Sequence, residues 1–318
     1  MEYVIQASTQ DGTSFYEPCL TSATTTQEGL ATAQVNVSAI PAGGYVYVGN
    51  ASSAQPWSSS TLSFSKEMAT GTYDVPVCLA DSSSAVSAAK ILRGQTIPGE
   101  LNAGNTVVFA TSDETVSQAI TYNNVPTGFL LEPLVVDFVS SGGAVVDLSN
   151  RAGSTTQYLA LPASTFQSGD LYKFTASAYS GNDLVSVDTN TSSGGTQTFT
   201  FPASWAYAGP TAAALPSFNF NYSGFSGMSS VWDSAQINWV QGTTSRYLVE
   251  LSASENYLNG ATSIAVPDLS ALTGFISPAA SGTTINWLAD ISQGSFATSG
   301  LAIGSVQSVQ DSGTYTEP

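Results

Sequence analysis

The sequence predicts an all-β protein built of two or three tandem antiparallel β-sandwiches, and three observations predict it. Apolar residues alternate with a period of two along most of the chain. Clusters of Ser, Gly, Asn, Asp and Pro punctuate these runs every ~8–12 residues, the spacing of short strands joined by turns. Helical patterning is weak, with only 82–89 helix-permissive and that stretch equally readable as a polar loop.

The alternation defines the strands in chain order. Tyr73, Val75, Val77 and Leu79 point one way, with Asp74, Pro76 and Cys78 between them. Stretches 90–97 and 106–110 follow as further candidates. Residues 135–139 and 144–148 flank Ser140-Ser141-Gly142-Gly143 and read as a hairpin. Tyr172, Phe174, Ala176 and Ala178 repeat the scheme, and 184–187 and 198–201 continue it. Phe218, Phe220 and Tyr222 form the next set, then Ala235, Ile237 and Trp239, then Tyr247, Val249 and Leu251. With 318 residues and ~100–200 per domain, the chain has room for two or three units. The turn punctuation divides it at 1–118, 119–208 and 209–318, the last opening on Pro210 and Pro216 around an Ala-rich linker.

Composition narrows the function. Hydrophobic residues at 42% and aromatics at 10% are enough to build cores, so the low charge does not signal disorder. Charged residues total 9%, and the net charge of −17 reflects a scarcity of bases: Lys66, Lys90, Arg93, Arg151, Lys173 and Arg246 are the only cations. Phosphate backbones are bound by clustered Lys and Arg, which this chain lacks, so nucleic acid is not an expected partner. Histidine is absent, which rules out Ser-His-Asp and Cys-His catalysis and the usual His-bearing zinc, copper and iron sites. No apolar run approaches the ~20 residues that span a bilayer, so membrane insertion is not expected. The first six residues lack a basic and apolar leader pattern, so export would use either a signal peptide already removed or another route.

Two cysteines, Cys19 and Cys78, have two readings. An even pair in a cysteine-poor chain of secreted-type composition points to a Cys19–Cys78 disulfide, worth roughly 4 kcal/mol for a loop of that size. The other reading is two buried thiols.

The stretch 71–77, followed by Ile91-Leu92-Arg93-Gly94-Gln95-Thr96-Ile97-Pro98, resembles the prealbumin-like or carboxypeptidase-regulatory-like sandwiches of bacterial surface proteins. Ser245-Arg246-Tyr247-Leu248-Val249-Glu250-Leu251, with 265–270, looks like the late strands of a fibronectin type III-like module. The resemblance implies sandwich architecture and an exported setting, and it brings no catalytic residues.

Several groups are candidates for chemistry. Asp137 and Asp147 lie on the two arms of the hairpin, where a carboxyl pair could act as a glycosidase does without histidine; the plainer reading is two solvated acids. Asn182, Asp183, Asp188 and Asn190 offer oxygen ligands for Ca²⁺, or else close Asx turns. Lys173 invites comparison with Lys–Asn isopeptide crosslinks, but alternation sets it opposite the apolar face, as an exposed lysine. Trp205 and Trp232, with Tyr207, Trp239 and Trp287, are candidate ligand-stacking residues for a carbohydrate; core packing of sandwich sheets would use the same rings, and alternation sets Trp239 and Trp287 toward burial. Asn36, Asn50, Asn190 and Asn221 head N-x-S/T triplets of the frequency a Ser/Thr-rich chain produces by chance.

These readings converge on a non-catalytic extracellular or cell-surface protein, structural or adhesive, with no cofactor and with itself as the expected partner. Its terminal segments 1–14 and 305–318 are expected to lend themselves to strand exchange. The alternatives are a carbohydrate- or ligand-binding sandwich and a viral capsid or tail component.

Overall fold

The computed structural model describes residues 28–40, 44–49, 54–56, 60–149, 156–225, 231–241, 245–254, 261–268, 279–294 and 304–318. Its strands are β1 (Glu28–Asn36), β2 (Tyr45–Val48), β3 (Ala54–Pro56), β4 (Thr61–Ala69), β5 (Gly71–Ala80), β6 (Val86–Ile97), β7 (Gly99–Glu100) and β8 (Val107–Val108). They continue with β9 (Val116–Asn123), β10 (Leu130–Leu131), β11 (Val135–Val139), β12 (Val145–Asp147), β13 (Gln157–Ala160), β14 (Leu171–Ser180), β15 (Asp183–Thr191) and β16 (Gln197–Thr200). The last are β17 (Ser217–Asn219), β18 (Val231–Gln241), β19 (Ser245–Ser254), β20 (Ser263–Ala265), β21 (Thr284–Gly294) and β22 (Gly304–Thr316). The fold is all-β and largely antiparallel, as the alternation predicts.

The first layers are the sheet β4-β1-β7, to which β8 adds, and the sheet β3-β2-β5-β6. Val35, Phe64, Val75, Val77, Leu79 and Phe109 fill the core between them. Strand β5 departs from simple alternation, because every residue from Asp74 to Ala80 is buried. Its second face is covered too: Cys78 of β5 and Ala89 of β6 belong to a second, larger core. A strand covered on both faces tolerates the near-continuous apolar run Val75-Pro76-Val77-Cys78-Leu79-Ala80. The helix-permissive stretch opens as a tight turn, in which the Asp81 carboxylate accepts from the Ser83 and Ala85 amides, and its second half, from Val86, is already part of β6.

The larger core lies against a nine-stranded sheet of order β12-β11-β14-β15-β22-β21-β18-β19, with β10 also paired to β14. Facing it are the three-stranded sheet β13-β9-β16 and the short pair β17-β20. Aromatic rings lock the layers: Tyr158 of β13 meets Phe174 of β14 edge-on at 5.1 Å, and Phe199 of β16 packs on Phe174 at 5.8 Å. The nine-stranded sheet takes β10, β11, β12, β14 and β15 from segment 119–208 and β18, β19, β21 and β22 from segment 209–318. These two segments therefore share one sheet, joined by the β15·β22 ladder from Leu184↔Gln310 to Asn190↔Gly304.

That ladder corrects the expectation for 305–318. This segment is not available to a neighbour's sheet, because β22 is paired on one side with β15 and on the other with β21. Alternation explains its place: Val309 faces the core with no exposure, while Ser308 and Gln310 face the other way. The companion segment 1–14 lies outside the described residues.

Candidate functional site

Among the described residues the most fully bonded polar centre is built around Arg93, which β6 projects toward two carboxylates. Its Nη1 and Nη2 donate to Asp170 Oδ1 and Oδ2 at 3.0 and 2.6 Å, a two-pronged fit of guanidinium to carboxylate. Nη1 also donates to Asp74 Oδ2 at 2.9 Å, and Nη2 to the Thr165 carbonyl at 3.0 Å. Backbone amides complete both acids: Gly94 and Gly142 donate to Asp74, and Ser141 and Gln167 to Asp170. Burial alone would raise the Asp74 pKa, but hydrogen bonds from Gly94, Ser140 and Arg93 outweigh it and hold the group below the usual carboxylate range. Asp170 follows the same logic, with Arg93 the strongest opposing influence. The centre bolts the β5–β6 hairpin to the β11–β12 turn and to the loop before β14. Sequence inspection reads 140–143 only as a turn. Gly142 is required there by close approach, since a Cβ would fall 2.3 Å from the Asp74 carboxyl carbon.

A second acidic pair lies at the end of the β15·β22 seam. Leu184 faces Gln310, so Asp183 comes beside Asp311. Asn182 Nδ2 ties the same corner to the Ser312 carbonyl at 2.9 Å. Burial, with a further contribution from Asp183 and against the Ser312 amide, pushes Asp311 up to about 6.

The predicted hairpin acids do meet, since Asp137 stands directly opposite Asp147. On its other side Asp137 faces Lys173, and Lys173 faces Asn190, giving a row of four polar residues across β12, β11, β14 and β15. Burial, reinforced by Asp147 and partly offset by Lys173, raises the Asp137 pKa. Asp147 accepts from the Ser149 amide in a local turn, and Val135 and Val145 beside the pair are exposed. Asp137 is thus half-buried and Asp147 exposed at this end of the sheet face.

The proposed calcium ligands do not converge. Asp183 and Asn190 bracket about 23 Å of extended β15, and Asp188 faces the opposite side of the sheet from Asp183. Asp188 is instead bonded to the Thr175 hydroxyl. Among the described residues no group of three or more acids, cysteines or histidines is arranged to hold a metal ion.

Trp205 is 5% exposed, stacked on Tyr207 at 4.4 Å and on Phe220 at 6.1 Å. Its ring is thus core material rather than a stacking surface, because the segment after β16 folds over the inner face of the large sheet. The side chain of Trp232 lies outside the described residues; Trp239 and Trp287 are buried in the same core. Cys78 is a free, buried thiol whose pKa burial pushes up to about 12. Cys19 lies outside the described residues.

The nine-stranded sheet ends differently at its two sides. Strand β12 has three residues, whereas β19 has ten and, among the described strands, pairs only with β18. Residues 248–253 of β19 alternate exposed and covered, with Leu248 at 56% exposure and Val249 and Leu251 against the core. Glu250 accepts from Gln236 Nε2 across the β18·β19 pair at 2.9 Å.

No protein-family model matches the chain, and no curated protein or solved structure is significantly similar to it. The functional reading therefore stands on fold and geometry.

Proposed function

We propose that the protein is a non-catalytic structural or adhesive component of an extracellular or cell-surface assembly, and that it associates with itself through a sheet edge. The observation that carries this reading is β19, a ten-residue strand at the end of a nine-stranded sheet with two charges, Arg246 and Glu250. Among the described residues no strand pairs with its outer side, and an edge of this length is a template for another strand. The composition agrees, since Ser, Thr, Asn and Gln rather than charges make the surface hydrophilic. Edge pairing takes over the role that the sequence assigns to strand exchange by 305–318, whose backbone is already paired.

Light scattering over a concentration series, with electron microscopy of the same samples, tests this. Dimers or ordered arrays that grow with concentration are expected. A strict monomer at every concentration would reject self-assembly and turn attention to ligand binding.

A further inference from the structure

We infer that two copies of the chain pair antiparallel along β19, about a two-fold axis at Leu248, fusing two nine-stranded sheets into one. This pairing presupposes the self-association proposed above and specifies its geometry.

The charge pattern of the strand supplies the register. In Ser245-Arg246-Tyr247-Leu248-Val249-Glu250-Leu251 the cation and the anion stand two residues to either side of Leu248. In an antiparallel pair centred on Leu248, positions equidistant from it face each other. Position 246 of each copy then comes opposite Glu250 of the other, and Leu248 opposite Leu248. Opposite charges directly across a ladder are favourable and like charges are not.

The competing registers are worse. Centring the axis on 246 or on 250 sets Arg against Arg or Glu against Glu, and in-register parallel pairing does both. Centring on 247 or 249 leaves both charges without opposite partners. Leu248 and Glu250 lie on the face turned away from the core, because Val249 and Leu251 lie opposite the buried Ile237 and Ala235. A two-fold at 248 keeps those faces continuous, so the half-buried Val249 and Leu251 gain neighbours while the exposed Leu248 is covered by its own copy. Two-fold dimers of this isologous kind are the commonest symmetric assemblies.

Charge reversal in the full chain tests the pairing, read as the dimer dissociation constant by sedimentation or light scattering. R246E and E250R each place like charges at both symmetric contacts and should weaken the dimer about tenfold. The double variant R246E/E250R restores opposite charges and should recover most of that loss. Independently, L248C in a Cys19→Ser background should form a reducible covalent dimer on oxidation, because opposed Cα atoms in an antiparallel pair lie ~4.5–5.5 Å apart, within disulfide reach. A native dimer indifferent to the single reversals, with no crosslink in the L248C variant, would overturn this interface while leaving self-assembly standing. A native monomer would overturn both.

Discussion

Asp74 and Asp170 share one guanidinium, whereas Asp183 and Asp311 stand side by side with no cation bonded to Asp311 among the described residues. Both pairs sit where separate segments of the chain meet. The first is flooded with donors, four backbone amides and the Arg93 fork, and its carboxyls are held below their ordinary range. The second has the Ser312 amide and, among the described residues, no cation bonded to it, and Asp311 rises to about 6. A chain with six cations can neutralise few buried acids, so the others must hold a proton or bear the cost of charge. The two junctions should therefore respond to acid in opposite directions.

Breaking the first junction gives the largest effect. R93M leaves two buried carboxylates without their counter-charge and should cost ~3–5 kcal/mol at pH 7, measured by urea denaturation. The sign with pH follows from the lowered pKa values. The stabilisation from Asp74 and Asp170 is fully present above the unfolded carboxylate range, and it is lost as pH falls through their folded values. The R93M deficit should therefore shrink in strong acid, where the native clamp fails as well. A variant as stable as the native protein at pH 7 would remove the clamp from the account of this fold.

Gly142→Ala probes the same junction without touching charge. The added methyl would fall among the Asp74 carboxyl atoms, all within 2.6 Å, so the β11–β12 turn must withdraw and loosen the amide bond to Asp74. A loss of ~1–3 kcal/mol is expected, the usual range for overpacking. Combined with R93M it should add less than its separate cost, because both act on one network. Simple additivity would mean that the turn and the guanidinium are energetically independent.

The two junctions were unequally visible in the sequence. Strands such as β5, β14, β18 and β19 can be read from alternation, and the Asp137–Asp147 contact follows because one short hairpin fixes its register. Arg93 and Asp170 are 77 residues apart, and no local pattern reveals that a turn of Ser and Gly will bring its amides to their carboxylates. The place of β22 was hidden for the same reason: alternation marks 305–318 as a strand but names no partner. Trp205 shows a further limit, since an aromatic in an irregular segment carries no periodicity to tell core from surface. The charge symmetry about Leu248, by contrast, is written in seven consecutive residues, and the sheet order adds that they lie on the end strand β19.

The smallest effect comes from the second junction and has the opposite sign. Asp311 binds its proton more tightly folded than unfolded, so its contribution favours the fold below the ordinary value of 3.8 and is lost as pH rises through about 6. For one proton the slope cannot exceed ~1.4 kcal/mol per pH unit, and solvent at the rim of the seam lowers it. Asp137, Asp188 and Asp290, also raised by burial, lean the same way. The native protein should therefore be most stable at mildly acidic pH, between the loss of the Arg93 clamp below and the charging of these acids above. Asp311→Asn removes the titrating group while keeping a polar side chain of the same shape beside Asp183. It should raise stability by about 1 kcal/mol at pH 7 and by almost nothing at pH 4. Equal effects at both values would mean that Asp311 is not the group whose charge strains the seam.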